Sequence, residues 1–520
     1  MDAIDLSIFS SRINAICEEM GVVLRRSAFS PNIMDRLDFS CAIFDASGQL
    51  CAQAAHIPVH LGSMAYAMAD IVGQMHWQPD DMVILNDPYK GGTHLPDVTV
   101  VAPLFCGSQL CAFVTNRAHH ADIGAESPGS MPIAARLEDE GMVIAPTKLI
   151  KQGHLDEQLM AALTDKTRQP RQSYGDFAAQ ISANRTGLQR LQQLLEGMSL
   201  QAFQYSLSEL NDYAERLAKA CLKAIPNGDY RAIEYMDDDG LGNSDIPLKV
   251  RIQIQDGQVD VNFAGTAEQV NGNINCPLSV TAAAVYYVFR CLLPSYTPAC
   301  QGSFRPISIK APGASLLNAC YPAAVAAGNV ETSTRVVDVM LAALANALPS
   351  RIPAASHGSM NNLAMGSAQE NNSWDYYETM GGGMGASAAG PGLSAVQTHM
   401  TNTLNTPIEV LEKRYPLRVQ RYAIRRGSGG NGRYAGGDGL VREFEFLDAA
   451  TVTLLTERRR HVPAGLARGD AGKAGVNRLN GQQLAAKVSL DVQAGDRLCI
   501  ETPGGGGWGE ASMNQSRKQE

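Results

Sequence analysis

The chain has 520 residues, of which 45% are hydrophobic and 18% are charged, and its formal net charge is −9. This composition can bury a large core and excludes a disordered chain, and the acidic balance disfavours nucleic-acid binding, which usually needs a basic face. No stretch has the roughly 18 uninterrupted apolar residues of a membrane span, and the acidic residues 1–5 lack the order of a signal peptide.

Cysteine usage points to the compartment. The eleven cysteines are scattered singly, without a C-x-x-C pair. Reduced thiols of this kind are typical of cytosolic proteins, and zinc-finger sites are excluded. We therefore predict a cytoplasmic protein.

The N-terminal part is predicted to begin with one helix, which is followed by several short strands. Apolar residues at spacings of three and four predict an amphipathic helix over 8–24, and alternation over 39–52 predicts a hairpin. Further strands are predicted at 82–85, 98–101 and 110–115. Polar residues gather where these strands end, and such loops commonly carry function.

The rest of the chain is mixed. Residues 188–225 are predicted to be helical up to a Pro-Asn-Gly stop, 248–263 to form a hairpin, and 331–348 to form a helix. The fold class predicted is mixed α/β (α+β) and multidomain, with a metal site on loops at strand ends.

Four regions follow from these patterns. Residues 1–230 are predicted to be an N-terminal metal-site region that ends in long helices, and 231–350 a middle α/β region with a hairpin. Residues 351–512 are predicted to be a Gly-rich C-terminal region, and 513–520 are predicted to be a flexible tail.

The densest polar patch is the loop 86–97. Its His94 and Asp97 form H-x-x-D, and imidazole nitrogen with carboxylate oxygen suits Zn²⁺, Mn²⁺ or Fe²⁺. A second patch follows a predicted strand and contains His119, His120 and Asp122. Because neighbours in an extended segment point to opposite sides, one histidine of the pair is a metal-ligand candidate, and the other faces substrate or supports the ligands.

Asp38, at the start of the first hairpin, is a candidate fourth ligand. The alternative is that all these residues are hydrogen-bonded loop residues without a metal.

Other chemistries have weaker signals. Residues 427–432 match G-x-G-x-x-G but no helix start follows, so a structural turn is favoured over a dinucleotide site. Cys41 and Cys276, the candidate nucleophiles, have no recognisable histidine partner.

Residues 503–509, Pro-Gly-Gly-Gly-Gly-Trp-Gly, either line a substrate channel or seal a packed corner.

Motifs along almost the whole chain resemble hydantoinase B/oxoprolinase proteins. They comprise residues 19–20, 25–30, 86–97, 118–124, 328–333, 360–362, 377–379 and 399–403 and the closing Gly-rich segment. The resemblance implies the beta-type subunit of an ATP-dependent enzyme that opens a cyclic amide, such as a hydantoin, 5-oxoproline or another lactam.

The resemblance also implies partners and ligands. A hydantoinase A-like subunit would use ATP to phosphorylate the amide, giving a hetero-oligomer, and the absence of a phosphate-loop motif here agrees with that. The implied ligands of the divalent metal are Asp38, His94, Asp97 and His119. His120 or Asp122 would take a proton or orient water, or else support the ligands.

Two other functions stay open. Related subunits occur in ATP-dependent acetone and acetophenone carboxylases, so a ketone carboxylase subunit is the first alternative. A non-catalytic scaffold for the A-type partner is the second.

Overall fold

Seven strands near the N-terminus form one antiparallel sheet in a computed structural model, which describes residues 2–60, 62–369 and 373–511. The strands are β1 (Phe39–Asp45), β2 (Leu50–Ala55), β3 (Met82–Leu85), β4 (Asp97–Cys106), β5 (Gln109–His119), β6 (Thr147–Lys151) and β7 (His154–Leu155). Their order is β2-β1-β5-β4-β3-β6-β7. The predicted hairpin and strands of this region are therefore present.

Helices cover both faces of this sheet. They are α1 (Ala3–Ser27), α2 (Pro31–Met34), α3 (Ser63–Ile71), α4 (Glu157–Thr164), α5 (Pro170–Glu196) and α6 (Leu200–Leu222). The apolar faces of α1, α5 and α6 share one core with the sheet, and α3 packs in a separate core on the other side. The helical stretch predicted at 188–225 is two helices, because Ser199 accepts a hydrogen bond from the Ala202 N–H and starts α6.

The middle of the chain is a smaller sheet covered by two helices. Its strands are β8 (Gly228–Asp238), β9 (Ser244–Gln255), β10 (Gln258–Asn262) and β11 (Ile307–Lys310), in the order β11-β10-β9-β8. The helices are α7 (Leu278–Leu292) and α8 (Ser333–Leu344). A π-helical turn, Gly328–Thr332, directly precedes α8.

Two further sheets share the C-terminal core with α9 (Ile408–Arg414). One consists of β12 (Asn362–Ser367), β13 (Trp374–Glu378), β16 (Ala450–Leu455) and β19 (Lys487–Val492), in the order β13-β12-β16-β19. The other consists of β14 (Leu417–Arg425), β15 (Gly439–Phe446), β17 (Val476–Leu479), β18 (Gln482–Gln483) and β20 (Arg497–Glu501), in the order β14-β15-β20-β17-β18.

The Gly-rich segment 503–509 is the centre of a bundle of extended chains. Its N–H groups donate hydrogen bonds to backbone oxygens of neighbouring segments, and the pattern repeats every three residues. The bonds are Gly504 to Lys473 and Gly507 to Asp470, then Gly505 to Gly437 and Trp508 to Tyr434, then Gly506 to Ala355 and Gly509 to Leu466. Three residues per turn is the repeat of a polyproline-II-type helix. The contacts therefore favour a packed corner over a substrate channel for 503–509, and β15 rather than a helix follows the turn at 427–432.

The mixed, multi-sheet fold class is confirmed. Each sheet falls within one predicted region, except that β8 begins at Gly228. The region boundaries stay predictions, and the predicted tail 513–520 lies outside the described residues. Among the described residues, none of the helices is both long enough and apolar enough for a membrane crossing.

Candidate metal centre

The loop between β3 and β4 is held in shape by its first residue. The Asn86 amide donates to the carbonyl oxygens of Leu95 (2.8 Å) and Met142 (2.9 Å), and it accepts from the Ile144 N–H. Gly91 has a φ of +83°, and a Cβ there would lie 2.3 Å from the Ala67 nitrogen. The loop therefore requires glycine at this position to lie against α3.

Strand pairing brings the two predicted patches together. Asp97 at the start of β4 lies directly opposite His119 at the end of β5. His94, Asp97 and His119 are buried, and one ligand atom of each lies within 4.8 Å of the others. We call these three residues the His/Asp cluster. The His94 Nε2 atom is 3.3 Å from the Asp97 Oδ2 atom.

A further histidine, which the sequence did not single out, lies beside this cluster. His60 is in a short 3₁₀ turn, Pro58–His60, and its Nε2 atom is 3.5 Å from Asp97 Oδ2. Its Nδ1 atom is 2.9 Å from the Ser40 hydroxyl on β1, which orients the ring. The sequence gives little sign of it, because His60 lies 34 positions before His94 and the segment between the hairpin and α3 has no metal-ligand spacing.

His60, Asp97 and His119 line one small cavity, and Asp38 also lies at its edge. Its backbone oxygen accepts from the His119 N–H at 2.9 Å, and its carboxylate is 3.8 Å from the Arg36 guanidinium. Burial raises the pKa of Asp38, whereas the charge of Arg36 opposes that shift. The predicted fourth ligand is thus next to the His/Asp cluster but outside the group whose ligand atoms all lie within 4.8 Å.

Side chains around the cluster fix the orientation of its members. The Asn32 amide nitrogen lies 3.0 Å from His119 Nδ1, and the Tyr377 ring stacks on the His119 ring at 5.0 Å. The Thr93 hydroxyl donates to Asp97 Oδ2 at 2.6 Å, and the Asn329 amide contacts the same oxygen at 3.4 Å. Asn329 reaches Asp97 from the π-helical turn, a contact across 232 positions that the sequence analysis missed.

His120 and Asp122 face away from this cavity. His120 Nε2 is 2.9 Å from the Gln180 side-chain oxygen, and its ring packs on Phe177, both on α5. Asp122 accepts from the N–H groups of Gly124 and Arg168. As expected for adjacent residues of an extended segment, His119 at the end of β5 and His120 directly after it point to opposite sides. The catalytic roles of His120 and Asp122 stay predictions, and their contacts favour support of the surrounding backbone.

The donor set of the cavity fits a divalent metal. Both ring nitrogens of His94, and the Nε2 atoms of His60 and His119, are buried without a hydrogen-bond partner. Burial lowers the pKa of His119 well below its usual value, which keeps the ring neutral and able to ligate. Burial raises the pKa of Asp97, but the nearby His94 and His60 outweigh it and hold that pKa well below its usual range. Imidazole nitrogens together with a carboxylate oxygen are ligands for Zn²⁺, Mn²⁺ or Fe²⁺.

A family model described as hydantoinase B/oxoprolinase matches residues 2–511. The chain belongs to the hydantoinase B/oxoprolinase family.

Three relatives differ in how much of their own length this chain matches. An uncharacterised protein of Methanocaldococcus jannaschii is 39% identical over 98% of this chain and 91% of its own length. The B-type component of a putative D-/L-hydantoinase from a Pseudomonas strain is 31% identical over 100% of this chain and 92% of its own length. 5-Oxoprolinase 1 of Arabidopsis thaliana is 40% identical over 98% of this chain, but the match covers only 42% of that protein.

Two solved structures share the fold. The ATP-dependent caprolactamase from Pseudomonas jessenii superposes with a TM-score of 0.93 at 26% identity, over 100% of this chain and 93% of that one. A nucleotide-free acetone carboxylase superposes with a TM-score of 0.86 at 17% identity, over 98% of this chain and 76% of that one.

Proposed function

We propose that this chain is the metal-containing subunit of an ATP-dependent amidohydrolase that opens a cyclic amide. The observation that carries the proposal is the buried His/Asp cluster, in which imidazole nitrogens without a hydrogen-bond partner lie close to the Asp97 carboxylate. Perturbed, buried ionisable groups converging on a cavity are typical of an active site. The names of the relatives, hydantoinase, 5-oxoprolinase and caprolactamase, support a cyclic amide as substrate.

His94, Asp97 and His119 would hold the divalent ion, with His60 and Asp38 completing its surroundings. When bound there, the ion supplies Lewis-acid chemistry that polarises a carbonyl and activates water near neutral pH. Thr93 and Asn329 hold the Asp97 carboxylate in place by hydrogen bonds, and Asn32 and Tyr377 orient the His119 ring. Since these contacts exist before substrate arrives, the site is preorganised.

A hydantoinase A-like partner would supply the ATP-dependent step. The chain matches about nine-tenths of the B-type hydantoinase component but only 42% of an Arabidopsis 5-oxoprolinase, which therefore carries another large region. The sequence has no phosphate-loop motif. We propose that the partner phosphorylates the amide oxygen, that hydrolysis follows at this chain, and that the hetero-oligomer is cytoplasmic.

His94→Ala tests the proposal in the complex of this chain with the A-type subunit. We expect ATP-dependent opening of the lactam or hydantoin substrate to fall by at least about a hundredfold, because a lost ligand leaves the site incomplete. Metal content, measured by elemental analysis, should fall with it. His154→Ala is the matched control, because His154 is exposed in β7, and it should retain both activity and metal.

Unchanged turnover of His94→Ala would contradict the proposal and support a non-catalytic scaffold. The same assay separates hydrolysis from carboxylation. Bicarbonate-dependent consumption of a ketone, with no lactam opened, would instead identify a ketone carboxylase subunit. The likeness to acetone carboxylase concerns the fold alone, so we propose amide hydrolysis first.

A further inference from the structure

A second, larger cavity lies next to the metal centre. It has a volume of about 390 Å³ and lies between α7, α8 and segments 351–356 and 397–402. Its walls are mostly apolar, and Leu292, Leu341 and Met384 are lining residues that are at least partly exposed. Small-molecule sites commonly have this size and this predominantly apolar lining, with a few polar groups that fix orientation.

Only a thin partition separates this cavity from the His/Asp cluster. Pro58 lines the larger cavity, whereas its neighbours Val59 and His60 line the metal cavity, and Thr401 lines both. The Val59 N–H donates to the Met400 oxygen at 3.2 Å, which joins the two halves of the partition. A ring in the larger cavity would therefore lie one layer of residues from the candidate metal ligand His60.

Two polar side chains in this cavity have unused hydrogen-bonding atoms. The Gln397 amide nitrogen donates to the Thr379 hydroxyl at 3.2 Å, and its buried side-chain oxygen has no partner. The His399 side chain is 9% exposed and has a backbone φ of +59°. Its Nε2 atom, 3.8 Å from Asp338 Oδ1, also has no hydrogen-bond partner. Rotation of either side chain into the cavity would offer its buried polar atom to an amide, which carries an N–H donor and a carbonyl acceptor.

Charge around the cavity narrows the ligand class. Arg351 is the one cation among the described lining residues; it is exposed at the rim and donates to the Leu292 carbonyl. The inner wall offers no positive partner, and burying an unpaired carboxylate is costly. A neutral ring with a hydrocarbon portion therefore fits this interior better than a ring that carries a carboxylate.

We propose that this cavity binds the cyclic-amide substrate and selects neutral, hydrocarbon-rich lactams. The ring methylenes would contact Leu292, Leu341 and Met384, and after rotation of the Gln397 side chain the ring N–H would donate to its oxygen. Thr401, which lines both cavities, lies between the bound ring and the metal centre. This inference rests on the proposed function and adds to it a binding site and a basis for specificity.

Cysteine alkylation tests binding without requiring turnover. Cys291 lines the cavity and is exposed, and Cys320 is exposed outside the cavity lining, so the two thiols provide a probe and an internal control. Iodoacetamide labelling of the full-length chain, alone and with the A-type subunit, is followed at both sites by peptide mass spectrometry. We expect saturating ε-caprolactam to slow labelling of Cys291 several-fold and to leave Cys320 unchanged. 5-Oxoproline at the same concentration should protect Cys291 less.

No protection of Cys291 in either preparation, or equal slowing of both thiols, would overturn the proposal. Stronger protection by 5-oxoproline would overturn its claim about charge.

Leu341→Trp fills the cavity and gives a second test. Leu341 is partly buried, and we expect the variant to raise KM for the lactam by at least tenfold while metal content stays at the wild-type level. Leu447→Trp, at an exposed leucine outside the cavity lining, is the control and should leave KM unchanged. If Leu341→Trp does not fold, the alkylation experiment on the wild-type chain decides.

Failure of this inference is distinguishable from failure of the proposed function. If His94→Ala abolishes turnover but Leu341→Trp with full metal content keeps the wild-type KM, the cavity assignment is wrong and the function stands. If His94→Ala keeps turnover, the metal-centred function is wrong whatever Leu341→Trp does.

Discussion

His119 shows how one residue of the site is positioned by several independent contacts. The β4–β5 register places it opposite Asp97, and its N–H donates to the Asp38 carbonyl. Asn32 contacts Nδ1, which leaves Nε2 as the nitrogen that points to the cluster without a partner. The Asn32 amide nitrogen donates to Nδ1, and a hydrogen bond on the far nitrogen fixes the ring orientation of a metal-ligating histidine.

Asn32→Ala tests this positioning role. The variant removes the contact to Nδ1 but keeps every proposed ligand, so we expect metal affinity to fall by about ten- to a hundredfold. Competition with a chromophoric chelator measures the affinity. Asn262→Ala is the control, because Asn262 lies on β10 in the middle sheet, and this variant should bind metal as the wild type does. Equal affinity of the Asn32 and Asn262 variants would contradict the role.

At the scale of elements, the π-helical turn before α8 connects the middle region to the metal centre. Gly328–Thr332 widens the helix by one residue, and its Asn329 amide reaches Asp97 at 3.4 Å. Such turns often occur at functional sites, because the extra residue redirects a side chain. The sequence predicted that the helix starts at residue 331, which lies inside the π-helical turn, whereas α8 starts at Ser333. The apolar periodicity used for that prediction does not reveal the extra residue of a π-helical turn.

The Gly-rich segment 503–509 with the extended chains around it, here called the glycine bundle, requires glycine at its centre. A Cβ on Gly505 would lie 2.2 Å from the Met384 carbonyl oxygen. Because that oxygen belongs to the backbone, it cannot move aside as the end of a flexible side chain can. We therefore expect Gly505→Ala to destabilise the protein by about 3 kcal/mol or more, measured by urea unfolding. Gly390→Ala, where nothing lies within 4 Å of the new Cβ, should change stability by less than about 1 kcal/mol. Equal midpoints for the two variants would refute a packing role for the bundle.

At the scale of the whole molecule, local pattern predicted elements better than assembly. The hairpin at 39–52 and the strands flanking 86–97 were predictable because alternation reflects one buried face. The meeting of His94, Asp97 and His119 was predictable in outline, because both patches end neighbouring strands. His60, Asn32 and Asn329 were not, because they approach from segments whose contacts only the tertiary fold creates.

The glycine bundle has the same explanation. The glycine run 427–432 predicted a turn, and the run 503–509 predicted a substrate channel or a packed corner. The three-residue period becomes visible only when the neighbouring segments surround Gly505. Domain boundaries were equally hard to predict, because one continuous core joins residues of the second sheet to Met360 and Leu455 of the C-terminal region.

Buried histidines make the stability of the whole chain depend on pH. Burial lowers the pKa of His357 to about 3, and the neighbouring His399 adds to the effect. In the unfolded chain the same ring takes up a proton near pH 6.5. Its contribution to stability is therefore complete above pH 6.5 and is lost as the pH falls toward 3, by up to about 1.4 kcal/mol per pH unit. His120 and His399, whose pKa values burial also lowers, act in the same direction.

We therefore expect the urea midpoint of the wild type to fall between pH 7 and pH 5, with chelator present at each pH so that metal release does not contribute. His357→Gln removes one titrating group and should flatten this dependence, whatever it does to stability at pH 7. His154→Gln changes an exposed histidine and should keep the wild-type slope. A slope that is the same in all three proteins would show that His357 takes up its proton in the folded state, contrary to the effect of its burial.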